Sequence, residues 1–195
     1  MSDEPLIAVA SRSFSANPEL CRLLGEAFHR YRLNSEGLRL SGDLLAEFLS
    51  GAAGAVVGVE RVDAGLLARL PDLRVISKYG VGLDSIDVEE VAARHIVLAT
   101  ATGTNSQAVA EMALLLMLGV LRRIPEAVVN VREQRWAGLT GGQLAGRTVG
   151  LVGVGNAGGR LAGLLRAFDC RVLGYDPAPR DVDGVEYVPL DTLLS

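Results

Sequence analysis

The sequence predicts an α/β fold with parallel sheets, divided into two units. Short apolar runs alternate with helical patterns from Leu6 onward, the pattern of strands buried under helices on both faces. A long apolar stretch and a glycine-rich connection interrupt this alternation between about Ser106 and Gly146. It then restarts as strand, glycine turn, helix and strand.

The elements follow in order. Leu6–Ala10 predicts a strand and Glu19–Arg30 a helix; Gly42–Leu49 has the apolar spacing of a short helix. Ala55–Val59 predicts a strand, Ala64–Leu70 a helix and Leu73–Ser77 a strand. Asp87–Arg94 predicts a helix opened by an aspartate cap, with acids in its first turn. Ile96–Ala99 predicts the next strand. From Ser106 to Ile124 the residues leave almost no polar face, so this helix is expected to be buried on every side, between domains or in a subunit interface. Pro125 is expected to end or kink it, with Val128–Trp136 as a more polar continuation. Thr148–Val152, Gly153–Gly159, Arg160–Phe168 and Arg171–Tyr175 predict strand, turn, helix and strand, and the final PLDTLLS reads as the start of another helix.

Composition narrows the function classes. Hydrophobic residues make up 49% of the 195 residues and charged residues 22%, a globular balance that argues against global disorder. With a net charge of −4 and no run of Lys or Arg, nothing suggests a nucleic-acid surface; the pair Arg122–Arg123 reads as a dipole partner at a helix C-terminus. Cys21 and Cys170 match no metal spacing and read as buried thiols of a reducing compartment. No metal site is expected. Met1–Pro5 lacks the basic start of a secretion signal, and the apolar run Ala113–Leu121 is shorter than the roughly 20 residues a bilayer span needs. A cytoplasmic location without membrane contact is expected.

The chemistry concentrates at Gly153-Val154-Gly155-Asn156-Ala157-Gly158, which fits G-x-G-x-x-G. Such a motif is weak alone, but here it follows an apolar strand, opens a helix and precedes a second strand that ends in Asp176. Gly153 allows the tight turn, Gly155 lets the backbone approach a pyrophosphate, and Gly158 lets helix and strand pack closely. Asn156 and Ala157 offer helix N-terminal amides to the anion. Asp176 is suited to the adenosine ribose hydroxyls, and its charge favours NAD over NADP.

A second glycine turn, Ser77-Lys78-Tyr79-Gly80-Val81-Gly82-Leu83-Asp84-Ser85-Ile86-Asp87, joins a strand to a helix and exposes amides suited to a carboxylate. Together with TGTNSQAVAEMALLLMLGVLRR and LAGRTVGLVGVGNAGGRLAGLLRAFDCRVLGYDP, in that order, it resembles the D-isomer-specific 2-hydroxyacid dehydrogenases, which include phosphoglycerate dehydrogenase-like enzymes. The resemblance covers nearly the whole chain from Leu6.

The resemblance implies a flavodoxin-like substrate domain over residues 1–97. A partial Rossmann NAD-binding domain follows over 98–195, its long helix at 105–124 serving an interdomain or homodimer contact. It implies hydride exchange between NAD and a small 2-hydroxy or 2-oxo acid, with 3-phosphoglycerate among the candidates. Val81 and Gly82 match amides that hold the substrate carboxylate. Asn105 matches an asparagine beside the substrate; its neighbour Ser106 has the weaker claim, and a plain helix cap is the other reading of Asn105. Ser85 stands where Asn or His is commoner, and Asn156 where Arg is common. His29 and His95 match no catalytic position. The family's arginine, carboxylate and histidine are expected beyond Ser195, so no catalytic residue is assigned and the chain alone is expected to lack turnover. The alternative is a non-catalytic NAD-binding module that dimerises or binds a partner. Arg61 could meet a substrate phosphate, although Glu60 beside it weakens that reading.

Overall fold

The computed structural model describes residues 4–195, so Met1–Asp3 of the acidic opening lie outside the described residues. The chain divides into two units, Met1–Thr102 and Gly103–Ser195.

The first unit is a five-stranded parallel sheet. Its strands are β1 (Ile7–Val9), β2 (Tyr31–Leu33), β3 (Gly54–Val57), β4 (Val75–Lys78) and β5 (Val97–Thr100), in the order β2-β1-β3-β4-β5. This is the flavodoxin-like order, in which the chain reverses direction across the sheet between β1 and β3. The helices are α1 (Arg12–Ser15), α2 (Pro18–Ala27), α3 (Gly42–Leu49), α4 (Ala64–Leu67) and α5 (Val88–Ala93). Their starts are written locally. Asn17 accepts from the Glu19 and Leu20 amides with Pro18 in the first turn; Asp63 accepts from Leu66 N–H, and Asp87 from Glu90 N–H.

Strand alternation sends Ala8, Ala55, Val57 and Ile76 to one face, against Leu45, Leu49, Leu67 and Val91. Val9 and Val56 face the other way, against Leu24, Phe14 and Phe28. β3 is buried along its whole length, as befits a central parallel strand. The sequence boundary at 97/98 falls at the start of β5, whose register with β4 (Val75↔Val97 to Lys78↔Thr100) ties it to the first sheet and carries the division to Thr102/Gly103.

The second unit holds the parallel strands β6 (Thr148–Val152), β7 (Arg171–Tyr175) and β8 (Val185–Tyr187), in the order β6-β7-β8. This is the order of half a Rossmann sheet. Helix α6 (Ser106–Leu121) packs on α8 (Asn156–Arg166), and their contact is built from Ala110, Leu161, Ala162 and Leu165 over Leu151, Val154 and Val172. Helix α9 (Leu190–Leu194) covers Gly150 with Leu193.

Several expectations need correction. The long helix stops at Leu121, and α7 (Ile124–Arg132) begins anew with Pro125 in its first turn. A continuous helix would press the proline ring onto the carbonyl four residues earlier, that of Leu121. The freed carbonyl accepts from Gly142 N–H at 2.8 Å. Arg123 adopts a left-handed conformation (φ 54°) and bonds Glu126, so it is a junction residue and not a dipole partner. Trp136 lies beyond α7 and is exposed.

In the single chain, α6 has one covered side. α8 covers one side only, leaving Met112, Leu115, Leu116 and Val120 more than half exposed. The cysteines are free and half-buried, each S–H turned to backbone carbonyls: Cys21 to Phe14 and Ser15, Cys170 to Leu144. The edge strands β2 and β8, and the one-turn α1, are additions that the sequence pattern did not show.

Candidate functional site

The glycine turn follows β6 and opens α8. Gly153 has φ 92°, a conformation an L side chain rarely adopts. Gly155 precedes the helix as its cap residue without a side-chain cap, and a Cβ built there meets nothing within 4 Å. The first amides of α8, those of Asn156 and Ala157, have no partner within the helix and border that open space. Gly158 is the reverse case: a Cβ there would overlap the Gly153 carbonyl oxygen and lie 3.1 Å from its carbon. The turn therefore combines a left-handed glycine, a glycine beside unfilled space and a glycine pressed on backbone. A pyrophosphate-bearing dinucleotide needs that combination.

Asp176 closes the turn from the end of β7. Its carboxylate accepts from Val154 N–H at 2.8 Å and from Ala178 N–H at 2.9 Å. These bonds, Ala178 foremost and then Val154, with Arg180 adding a favourable charge, hold its pKa below the ordinary aspartate range. Two amides use about half of a carboxylate's acceptor sites, leaving the rest for ribose hydroxyls. Arg180 reaches back to Asn156 Oδ1 at 3.1 Å, so the loop after β7 is latched to the helix start. A Cβ at Gly103 (φ 84°) would lie 2.9 Å from Asn156 Nδ2, which puts the stretch leading to α6 against the same turn.

Asn105 occupies the cap position of α6, but its side chain makes no cap hydrogen bond, so capping does not consume it. Its neighbour Ser106 is buried, with its amide on Gly103 O.

In the first unit, Val81 and Gly82 lie exposed on the loop after β4, at the carboxyl edge of the sheet, where open α/β sheets take ligands. Gly80 has φ 138°, which turns the chain there, and the Tyr79 ring stands edge-on to Phe14 at 5.4 Å. Arg61 is spent on Asp63 at 3.2 Å. The structure thus gathers Gly153, Gly155, Asn156, Ala157, Gly158 and Asp176 into one constellation, and Val81 and Gly82 into another.

Both histidines sit at the opposite edge of the first sheet. His29 precedes β2, and His95 (φ 57°) lies in the turn leading into β5; each is exposed at an amino end of a strand.

Sequence reasoning missed Arg180 and Lys78, and named Glu60 only as the neighbour that weakens Arg61; Glu60 and Lys78 are buried at the carboxyl edge of the first sheet. The one available signal was Lys78 at the end of the strand Val75–Lys78. Among the described residues no group of His, Cys, Asp and Glu could hold a metal, and no helix is long and apolar enough to cross a membrane.

Comparisons with known proteins agree on one family. Residues 114–195 match the model of the D-isomer specific 2-hydroxyacid dehydrogenase, NAD binding domain. The hydroxypyruvate reductase of Thermotoga maritima is 39% identical over 137 residues, covering 69% of this chain and 45% of that protein. The D-3-phosphoglycerate dehydrogenase of Mycobacterium tuberculosis is 37% identical over 158 residues, covering 78% of this chain and 30% of that protein. A solved structure from Polaromonas sp. has TM-score 0.87 at 28% identity, covering 98% of this chain and 62% of that one. The chain spans less than half the length of these curated relatives.

Proposed function

We propose that this chain, which belongs to the D-isomer specific 2-hydroxyacid dehydrogenase family, carries the parts of an NAD-dependent oxidoreductase that hold the cofactor and a small 2-hydroxy or 2-oxo acid. The observation that carries this reading is the glycine turn: three glycines in the three backbone situations a dinucleotide requires, closed by an ionised Asp176.

When bound, the nicotinamide supplies hydride transfer to and from the substrate carbon. The chain's own residues bind and orient. Gly155 leaves room for the pyrophosphate, and the Asn156 and Ala157 amides hold it. Asp176 accepts from the ribose hydroxyls and repels a 2′-phosphate. In the first unit, read as the substrate domain, the Val81 and Gly82 amides hold the substrate carboxylate; Asn105 is assigned as a further substrate-binding residue. Relatives named for hydroxypyruvate, glyoxylate and 3-phosphoglycerate leave 3-phosphoglycerate one candidate among several.

Proton exchange at the substrate hydroxyl needs a group near neutral pKa. His29 and His95 stand at the wrong edge of the sheet, so the 195-residue chain is read as binding without turnover. The open side of α6, with Leu115, Leu116 and Val120, supports a homodimer through this helix.

Fluorescence titration with NADH tests the cofactor site. Saturable binding is expected, weakened about tenfold or more by Asp176→Ala, which removes a charged acceptor. An unchanged affinity in that variant would overturn the ribose assignment, and no NADH binding by the folded wild-type chain would overturn the reading as a whole.

A further inference from the structure

We propose that the cleft between the β1 and β3 loops of the first unit takes the tail of a hydroxylated 2-hydroxy acid, of the sugar-acid kind, with the Glu60 carboxylate accepting from its hydroxyl groups. The proposal rests on the reading of this unit as the substrate domain and names the substrate class for it.

The cleft lies where the strand order reverses. From β1 the chain moves outward to β2 and returns on the far side of β1 as β3, so the loops leaving β1 and β3 diverge and open a crevice at the carboxyl edge. Ser11, Arg12 and Ser13 line it from one loop and Gly58 and Glu60 from the other, with Tyr79 beside them, around a volume of about 450 Å³. Tyr79 adjoins the Gly80–Gly82 turn, so an acid held by the Val81 and Gly82 amides has this cleft for its tail.

Glu60 is 7% exposed, and Gly58 N–H donates to its Oε2 at 2.5 Å. No cation pairs with it among the described residues. Lys78, 8% exposed, donates to the carbonyl of the same Gly58. Two buried charges therefore grip one residue from its two ends. Gly58 is further fixed against Ser11, because a Cβ there would lie 2.9 Å from Ser11 Oγ.

This pinning holds Glu60 in place while one amide satisfies only part of its acceptor capacity. Desolvating a carboxylate is costly unless donors meet it, so a tail that supplies donors is favoured. Arg12, exposed and without a side-chain hydrogen bond among the described residues, lines the same cleft and can only donate. A hydroxyl group both donates and accepts, and so serves Glu60 and Arg12 together. A phosphate satisfies Arg12 but is repelled by Glu60, and an alkyl tail satisfies neither. A site built around a hydrogen bond to hydroxyl discriminates strongly against an analogue that lacks it.

Four acids presented to the 195-residue chain in ligand-observed NMR titrations test this: glycolate, D-erythronate, D-2-hydroxybutanoate and D-3-phosphoglycerate. D-Erythronate is expected to bind about tenfold or more tighter than its four-carbon alkyl analogue, and tighter than the phosphorylated acid. Glu60→Gln, checked for folding by circular dichroism, is expected to narrow that advantage to below about threefold. Equal or tighter binding of D-2-hydroxybutanoate or D-3-phosphoglycerate by the wild-type chain overturns the proposal without any variant. An undiminished preference in a folded Glu60→Gln chain overturns the role of Glu60. Glycolate has no tail and separates the two readings. Glycolate binding without tail preference refutes the cleft alone, whereas no binding of any of the four acids refutes the substrate-domain reading and the cleft with it.

Discussion

Adding one methyl group at Gly155 and at Gly158 separates what the glycine turn does for the fold from what it does for a ligand. A Cβ at Gly155 enters open space, so Gly155→Ala makes no clash. Its φ of −75° is open to alanine but its ψ of −148° lies just outside the extended region, so the gain of about 0.4–1 kcal/mol from reduced unfolded-chain freedom is offset by backbone strain. The methyl does occupy the volume assigned to the pyrophosphate. At Gly158 the Cβ overlaps the Gly153 carbonyl oxygen, a backbone atom that no rotamer change can move. α8 or the turn must shift by roughly 1 Å in a close-packed region, and overpacking of this kind costs on the order of 1–3 kcal/mol.

For a domain of about a hundred residues, each kcal/mol lowers Tm by roughly 4–8 °C. The expected pattern in differential scanning calorimetry and NADH titration is therefore asymmetric. Gly155→Ala keeps Tm within about 4 °C and loses about tenfold or more in NADH affinity, as the methyl blocks the backbone's approach to the pyrophosphate. Gly158→Ala loses at least about 4 °C and loses affinity with it. Unchanged NADH affinity in Gly155→Ala refutes the pyrophosphate assignment. An unchanged Tm in Gly158→Ala refutes the packing argument.

Three further outcomes follow from the same geometry. Because the Asp176 pKa is lowered in the fold, its ties to Val154 and Ala178 are complete above the ordinary aspartate pKa of about 4 and are lost as pH falls through the lowered value. NADH affinity measured against pH is expected to stay flat from neutrality down to about 5 and to decline only in stronger acid; a midpoint near pH 6 would point to another group. Asp176→Ser is expected to raise NADPH affinity in a parallel titration, since the repelling charge is gone while Arg180 stays beside the site, and no gain would refute that role for Arg180. Leu116→Asp, on the open side of α6, is expected to shift sedimentation velocity from dimer to monomer, and a wild-type chain that sediments as a monomer would refute the homodimer.

Legibility in the sequence followed the locality of the cause. The bounds of α3, β6 and β7 were readable because each apolar run is closed by its own turn residues or by a change of period. The start of α5 was readable because Asp87 caps it within four residues. The strands β2 and β8 were not, because three residues are too few to show a period of two, and each takes its extended form from a neighbour distant in sequence: Ile7–Val9 for β2, and Val172–Gly174 for β8. The end of α6 was misplaced by attending to the proline itself. The constraint acts four residues upstream, on the Leu121 carbonyl, and Gly142 then takes up that carbonyl.

The same distinction divides the site. The turn from Gly153 to Gly158 rests on backbone conformations and close approaches that only glycine allows, so residue type alone announces it. Glu60 and Lys78 belong to residue types that ordinarily face water, and beyond the place of Lys78 at the end of its strand nothing near them in sequence marks them as buried. Their burial comes from Gly58, which offers its amide to one and its carbonyl to the other while lying against Ser11 from a different loop. A charge that the fold buries without pairing carries a desolvation cost, and in this unit that cost falls where the strand order reverses and a ligand crevice opens. The glycine turn announces which cofactor chemistry this chain serves. The less legible charges beneath the first sheet's edge carry the proposal for an acid tail, and they are visible only once the fold has brought Gly58, Glu60 and Lys78 together.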